Sequence, residues 1–239
     1  MKRYRLGSGL MVTIVGLLLL TPIEVWAQQP KAGGTLRVAW EADLSGIDPH
    51  VSSGLQAYRV VGNLFNSLVG IDAALNYVPD LAESWEILEN SKVYVFHLRK
   101  GVKFHDGTGF DAEVVRWNYQ RITDPEEKAL DAPFYSIVEA VEAIDAYTVK
   151  FTLKHPSRTL LPVMAAYRVG FAQMSPAAYK QWGKEDVRLH PVGTGPFKLA
   201  RWEQNQIIVL EKNPHYFKPG LPYLDRVDLR LMKEGVTRV

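Results

Sequence analysis

The 239-residue sequence contains no cysteine. This absence excludes disulfide bonds, thiol chemistry, cysteine-ligated metals and a lipid-modified cysteine after a leader peptide. The sequence also has almost no excess of one charge sign, since it contains 28 basic and 26 acidic residues. A chain this close to neutrality gives no reason to expect nucleic acid or an anionic membrane as a partner. Its 47% apolar and 23% charged residues are ordinary for a globular protein.

Recognisable catalytic motifs are absent as well. The sequence has neither a Gly-x-Ser-x-Gly nucleophile elbow nor a His-Glu-x-x-His zinc helix. The loop Gly193-Thr194-Gly195 lacks the third glycine of a dinucleotide fingerprint and the Lys-Ser/Thr pair of a P-loop. The six histidines are scattered, and Glu139 and Glu142 alternate with apolar residues as a solvated strand face does. The sequence therefore predicts a protein that is not an enzyme, with no catalytic residues, no metal site and no cofactor.

The N-terminus has the pattern of a secretory signal peptide. A positive segment is followed by a mainly apolar run and then by proline and a small-x-small site: Lys2, Arg3, Arg5; 10–20; Pro22; 25–27. A membrane anchor is the alternative, but a span needs roughly 20 apolar residues and this run is shorter. We therefore expect cleavage near Ala27/Gln28 and a periplasmic location. Removing three basic residues and Glu24 also brings the net charge from +2 to zero.

Residues 81–107 predict two strands around a turn at Asn90-Ser91. The second strand, 93–98, is rich in β-branched and aromatic residues, which is typical of a largely buried strand. Asp111 stands where the N-cap of a following helix would lie. Elsewhere, apolar spacing predicts a helix over 55–68, and Ser175-Pro176 predicts a helix that ends at Gly183. Alternation at 137–144 and 147–153, on either side of Asp145-Ala146, predicts a hairpin. Further strands are predicted at 35–40, 197–202, 207–210 and 227–231.

Several of these stretches together resemble the extracellular solute-binding proteins of family 5, which are the dipeptide, oligopeptide and nickel receptors of ABC importers. The residues that carry the resemblance are 81–85, 96–107, 33–36, 48–49, 190–197, 213–217 and 221–225. One departure is Gly109, where the family usually has proline; the change loosens a turn and leaves the fold unaffected. The resemblance covers nearly all of the chain after the leader.

The resemblance implies an α/β fold (mixed α+β) of the periplasmic binding protein-like class II, with mixed sheets. It implies the first lobe only, without the second lobe, so the chain is expected to be truncated. After the signal peptide 1–27, residues 28–68 plus 186–239 would form an incomplete first-lobe subdomain. Residues 69–185 would form an inserted subdomain that carries hairpins and the capped helix.

Two stretches are suited to hold a peptide through backbone hydrogen bonds, as an added strand would. The first is the edge that leaves strand 35–40, and the second is a loop whose small residues allow close approach; Phe134 and Tyr135 are further candidates for the wall of the cleft. The predicted substrate-binding residues are therefore Glu41, Ala42, Asp43, Leu44, Phe134, Tyr135, Gly193, Thr194 and Gly195. A plain tight turn for the glycine loop, and core packing for the two aromatics, remain open as alternatives.

The predicted function is a periplasmic receptor for a small molecule or, preferentially, a peptide. It would be a monomer that delivers its ligand to the inner-membrane permease of an ABC importer and binds no nucleic acid. Two alternatives stay open: a secreted hydrolase with an unrecognised site, and a non-functional fragment. The identity of the ligand cannot be deduced from these residues.

Overall fold

The computed structural model describes residues 30–165 and 170–232. The predicted signal peptide and its cleavage site lie outside these ranges. The strands are β1 Thr35–Trp40, β2 Val69–Ile71, β3 Tyr77–Pro79, β4 Ala82–Leu88, β5 Val93–Leu98, β6 Val138–Asp145, β7 Thr148–Leu153, β8 Phe197–Glu203, β9 Ile207–Lys212 and β10 Arg226–Leu231. The α-helices are α1 Leu55–Leu64, α2 Ala112–Thr123, α3 Leu160–Met164 and α4 Pro176–Asp186. Short 3-10 helices occupy Pro125–Glu127, Ala132–Tyr135 and Val187–Leu189.

The first sheet contains β1, β10, β9 and β8, in that order. Strand β1 runs parallel to β10, whereas β10, β9 and β8 are antiparallel neighbours. The sheet is therefore mixed, as predicted, and β1 lies at one edge of it. Helix α1 packs near β8, and its buried side chains join those of the sheet.

The second sheet has the order β4-β5-β7-β6 and is antiparallel throughout. Its hairpins β4–β5 and β6–β7 are those predicted around Asn90-Ser91 and around Asp145-Ala146. Strand β5 is central and largely buried, because it pairs with β4 and β7 and its aromatic and aliphatic residues join the hydrophobic cluster of this sheet. A separate small hairpin pairs β2 with β3.

Two hydrophobic clusters form the core of the described residues. One surrounds the first sheet and includes side chains up to Phe65 and again from Ala172 onward. The other surrounds the second sheet and includes side chains from Leu68 to Phe171. The clusters thus change over close to the first boundary of the predicted subdomains, 28–68 plus 186–239 and 69–185, and 14 residues before the second (171 against 185). That division is supported by the clusters and remains our proposal.

Helix ends follow local chemistry. The Asp111 carboxylate accepts a hydrogen bond from the Val114 amide at 3.0 Å, so the predicted N-cap of α2 is confirmed. Helix α4 leaves helical geometry at Gly183 (φ 70°), where its end was predicted, and then continues for a further turn to Asp186. Helix α1 ends at Leu64, four residues earlier than predicted, because Phe65 adopts extended geometry. This early end brings the next residue, Asn66, into hydrogen-bond contact with Asp80.

Candidate functional site

The predicted edge after β1 lies at the rim of the first sheet. Glu41 and Ala42 are exposed, Asp43 is partly buried, and Leu44 joins the core with 8% of its surface exposed. The parallel strands β1 and β10 end side by side here, and the Met232 amide donates to the Trp40 carbonyl at 2.8 Å. The sheet therefore delivers a short stretch of accessible backbone to the surface.

The first turn of α1 lies beside this edge. The Gln56 amide side chain donates to the Glu41 carboxylate at 2.9 Å. Helix α1 begins after Gly54, whose φ of 96° suits glycine, and no side chain caps its first amides. The helix dipole places partial positive charge at that end. The edge and the helix terminus together present backbone groups and a carboxylate on one surface.

Asp43 fixes the other side of the edge. Its carboxylate accepts hydrogen bonds from the Leu44 amide at 2.8 Å and from the Trp202 indole at 3.2 Å. It also accepts one from the Asn205 amide in the β8–β9 turn. Because three donors from two elements converge on one carboxylate, Asp43 ties the edge to the β8–β9 hairpin.

Trp202 also lines an open groove of about 610 Å³ between β8 and the segment that follows α4. On the opposite wall the rings of Trp182 and His190 stack with their centroids 3.5 Å apart and their planes at 11°. Both walls are therefore aromatic surfaces, which combine apolar area with polar tips. The groove is lined by Trp182, Leu189, His190, Pro191, Val192, Leu199, Ala200, Arg201, Trp202 and Gln204. The sequence pattern predicts the strand at 197–202 but not the groove. The two tryptophans, Trp182 and Trp202, were the available signal for it.

The glycine loop is packed against the protein itself. A Cβ atom on Gly193 would lie 2.1 Å from the Leu64 carbonyl oxygen, and one on Gly195 would lie 2.4 Å from the Leu64 carbonyl carbon. Thr194 is fully buried, and its hydroxyl donates to the Asn66 side chain at 3.2 Å. The small residues therefore allow the C-terminal end of α1 to approach closely, which is a sufficient reason for both glycines.

His105 holds the same loop. The Gly193 amide donates to His105 Nδ1 at 3.3 Å, so the proton of the neutral ring resides on Nε2, which donates to the Gly195 carbonyl at 3.2 Å. Burial lowers the pKa of His105 to about 4, with Lys198 acting in the same direction, while the Gly195 carbonyl and Asp106 oppose the shift. The loop is thus clamped by a neutral histidine.

The two aromatic candidates differ in exposure. Tyr135 is fully buried in the cluster around the second sheet, where its ring lies 5.5 Å from that of Phe171. Phe134 is 53% exposed. The packing alternative therefore accounts for Tyr135, while Phe134 presents an accessible ring.

The structure does not bring the predicted substrate-binding stretches together into one site. Residues 41–44 lie at the N-terminal end of α1, and Gly193–Gly195 lie against its C-terminal end. Ten residues of helix separate these ends by about 15 Å. Phe134 and Tyr135 belong to the segment before β6. The first stretch combines exposed residues with a side-chain bond to Trp202 of the groove, whereas Thr194 of the glycine loop is fully buried.

A buried charged network that the sequence did not reveal lies next to this edge. Arg121 of α2 grips the Asp48 carboxylate with two hydrogen bonds, of 2.7 and 3.1 Å, and also donates to His50 Nδ1 at 2.8 Å. His50 Nε2 donates to the Ala172 carbonyl at 2.9 Å. On the opposite side, Glu127 lies 3.0 Å from the Arg121 guanidinium.

The network fixes the protonation states of its members. Burial alone would raise the pKa of Asp48, but the hydrogen bond and charge of Arg121 outweigh it and lower the pKa. Burial, and then the Arg121 charge, lower the pKa of His50 to about 4. His50 is therefore neutral at physiological pH, and Asp48 is ionised. Burial and the hydrogen bond to Glu127 raise the pKa of Tyr179 to about 12.

Within 30–165 and 170–232, no three His, Asp or Glu side chains gather in a way that could hold a metal ion. Across the same residues, none of the helices has the length and apolar character needed to traverse a bilayer. What the described surface offers is accessible backbone, a helix terminus and an aromatic groove.

Comparison with known proteins decides the family. Residues 76–239 match the family model described as bacterial extracellular solute-binding proteins, family 5 Middle. The chain belongs to this family. The resemblance of the motifs and the α/β class are thereby confirmed.

Three proteins similar to this family 5 chain have names or structures that state a ligand. The glutathione-binding protein GsiB of Escherichia coli O1:K1 / APEC is 35% identical over 201 residues, which are 84% of this chain and 39% of that protein. The ABC transporter-associated periplasmic binding protein DppA of Helicobacter pylori, solved with the peptide STSA, is 31% identical with a TM-score of 0.78, over 87% of this chain and 44% of DppA. AgaA of A. tumefaciens R10, solved with agropinic acid, is 32% identical with a TM-score of 0.80, over 86% of this chain and 41% of AgaA.

The family 5 chain therefore spans about two fifths of the length of these relatives. Its mixed α/β architecture with several sheets agrees with the class II periplasmic binding protein fold of the solved neighbours.

Proposed function

We propose that this family 5 chain forms part of a periplasmic receptor. The receptor binds a peptide or peptide-like solute and delivers it to the permease of an ABC importer. The family match over residues 76–239 carries this proposal. The names of two relatives support the ligand class, since one is described as glutathione-binding and another was solved with a tetrapeptide. The receptor holds its ligand and releases it unchanged, with no enzymatic step.

We place the ligand at the edge formed by Glu41, Ala42 and Asp43. No backbone hydrogen bond joins Ala42 to another described residue, so its amide and carbonyl are available to an extended peptide. Main-chain pairing does not read side chains, which suits a receptor for peptides of varied sequence. The first turn of α1, which no side chain caps, lies next to Glu41 and adds further backbone groups to this surface.

The neighbouring groove would receive a side chain of such a ligand. Its two indole rings offer apolar area, and Arg201 and Gln204 add polar groups at its margin. A wet, open groove tolerates variety, because water can bridge contacts that a given side chain does not make. The proposed site therefore combines sequence-independent backbone binding with a permissive side-chain surface.

Isothermal titration with glutathione, Ser-Thr-Ser-Ala and a mixed tetrapeptide library tests the proposal. We expect heat of binding with at least one of these ligands and unchanged ligand after incubation, as judged by mass spectrometry. Absence of binding to all three would refute the peptide class, and cleavage of a bound peptide would favour the secreted hydrolase.

A matched pair of variants tests the placement of the ligand. Ala42→Pro removes the backbone donor and should weaken binding, whereas Ala42→Ser keeps the donor and should bind as the parent does. Equal affinities for the two variants would move the ligand away from this edge.

A further inference from the structure

The segment after β1 carries the proposed ligand edge at one end and a buried ion pair at the other. Asp48 and His50 follow the edge by a few residues and are 1% and 3% exposed. Between them and the edge, Leu44 and Ile47 are buried in the cluster of the first sheet. The backbone from the edge to His50 is therefore fixed by the apolar packing of Leu44 and Ile47 and, at its C-terminal end, by the buried polar contacts of Asp48 and His50.

The group that holds the far end comes from the opposite side of the fold. Arg121 is 5% exposed and belongs to α2, whose neighbours Val115 and Ile122 are buried in the cluster of the second sheet. Its two bonds to Asp48 use the fork geometry that a lysine cannot reproduce. Arg121 thus connects helix α2, whose buried side chains belong to the cluster of the second sheet, to the loop that follows β1 of the first sheet.

Further contacts leave this guanidinium little freedom. Glu127 lies 3.0 Å away, and the Tyr179 hydroxyl donates to the same carboxylate at 2.5 Å. The Arg121 Cζ atom stands 4.9 Å from the centre of the Tyr179 ring. The loop is equally fixed, since the Ser52 amide donates to the Asp48 carbonyl and the Leu130 amide to that of His50, both at 3.0 Å.

We propose that Arg121 is a positioning residue for ligand binding: through Asp48 and His50 it sets the conformation of residues 41–52 and so the affinity of the edge. The inference rests on the proposed function for its effect on affinity, while its effect on the loop can be measured without any ligand. A buried ion pair contributes little net stability compared with apolar packing. The network here serves to select one arrangement of the loop.

Hydrogen exchange separates positioning from stability. In Arg121→Lys, we expect the Ile47 and Ser52 amides to exchange at least about tenfold faster, while Val209 in the β9 ladder changes far less. Arg116→Met removes an exposed arginine from the same helix and should leave all three rates unchanged. An equal increase at Val209 in Arg121→Lys would show a merely structural role, and no increase at Ile47 and Ser52 would also overturn the inference.

The triple variant Asp48→Asn/Arg121→Met/Glu127→Gln guards against loss of folding, because it removes all three buried charges of the network together. We expect it to be folded, with the loop amides still in fast exchange. Loop protection equal to that of the parent would overturn the inference.

Titration with glutathione and Ser-Thr-Ser-Ala gives the second readout. Arg121→Lys should raise the dissociation constant of whichever probe the parent binds about tenfold, with no change in Arg116→Met. Unchanged affinity in Arg121→Lys would refute the positioning role in binding. If the parent binds neither probe, the proposed peptide function fails, and the exchange rates decide the loop inference alone.

Discussion

Acidification should destabilise the protein through His105, and the size of the effect can be worked from the structure. The folded-state pKa of His105 is lowered to about 4, whereas an unfolded histidine has a pKa of about 6.5. Below pH 6.5, His105 binds a proton in the unfolded chain but not in the folded one. The free energy of unfolding therefore falls as the pH falls towards 4. Above pH 6.5 both states are neutral, and the group contributes no pH dependence.

The magnitude follows from the same two pKa values. At about 1.4 kcal/mol for each pKa unit, His105 should cost about 2 kcal/mol of the free energy of unfolding by pH 5 and about 3 kcal/mol by pH 4. Protonation would place a hydrogen on Nδ1 against the Gly193 amide, which also donates. The clamp on the glycine loop must then open.

Urea unfolding between pH 8 and pH 4 measures this dependence. His105→Gln should be less stable than the parent at pH 8, and the difference between the two should shrink by about 2 kcal/mol by pH 5. His155→Gln, at an exposed histidine that follows β7, is the control and should not show this change between pH 8 and pH 5. A constant difference between His105→Gln and the parent across this range would refute the reasoning.

Three further substitutions probe separate parts of the fold. Gly195→Ala would set a Cβ 2.4 Å from the Leu64 carbonyl carbon, so we expect about 3 kcal/mol of destabilisation or more in urea unfolding; a tolerated alanine would contradict the close approach. Asp111→Ala should lower the free energy of unfolding by about 1 kcal/mol, because the first turn of α2 loses its cap, while Asp111→Asn should retain most of it. Trp202→Phe should cost about 1 kcal/mol through the lost bond to Asp43 and increase the exchange of the Asn205 amide; unaltered exchange there would argue against the tie between edge and hairpin.

Local patterns in the sequence were sufficient for most elements. The alternation around Asp145 predicted the β6–β7 hairpin, and the acid before Ala112 predicted the cap of α2. These features depend on residues a few positions apart, so the local chemistry determines them. The motifs likewise indicated family 5, which the match over residues 76–239 confirms.

Residues distant in sequence decided the rest. The early end of α1 at Leu64 is followed by a contact between Asn66 and Asp80, fourteen positions away. Gly195 packs on α1 from a position that no local pattern reveals. The groove beside Trp202 likewise needs α4 and β8 to meet.

By itself, then, the sequence determined the family, the mixed α/β class and the strands and helices whose periodicity is local. The tertiary structure alone decided that residues 41–44 and Gly193–Gly195 stand at opposite ends of α1, and that Arg121 reaches Asp48 across 73 positions. The physical reason is that a hydrogen bond or a packing contact depends on distance in space, whereas a sequence pattern records only distance along the chain.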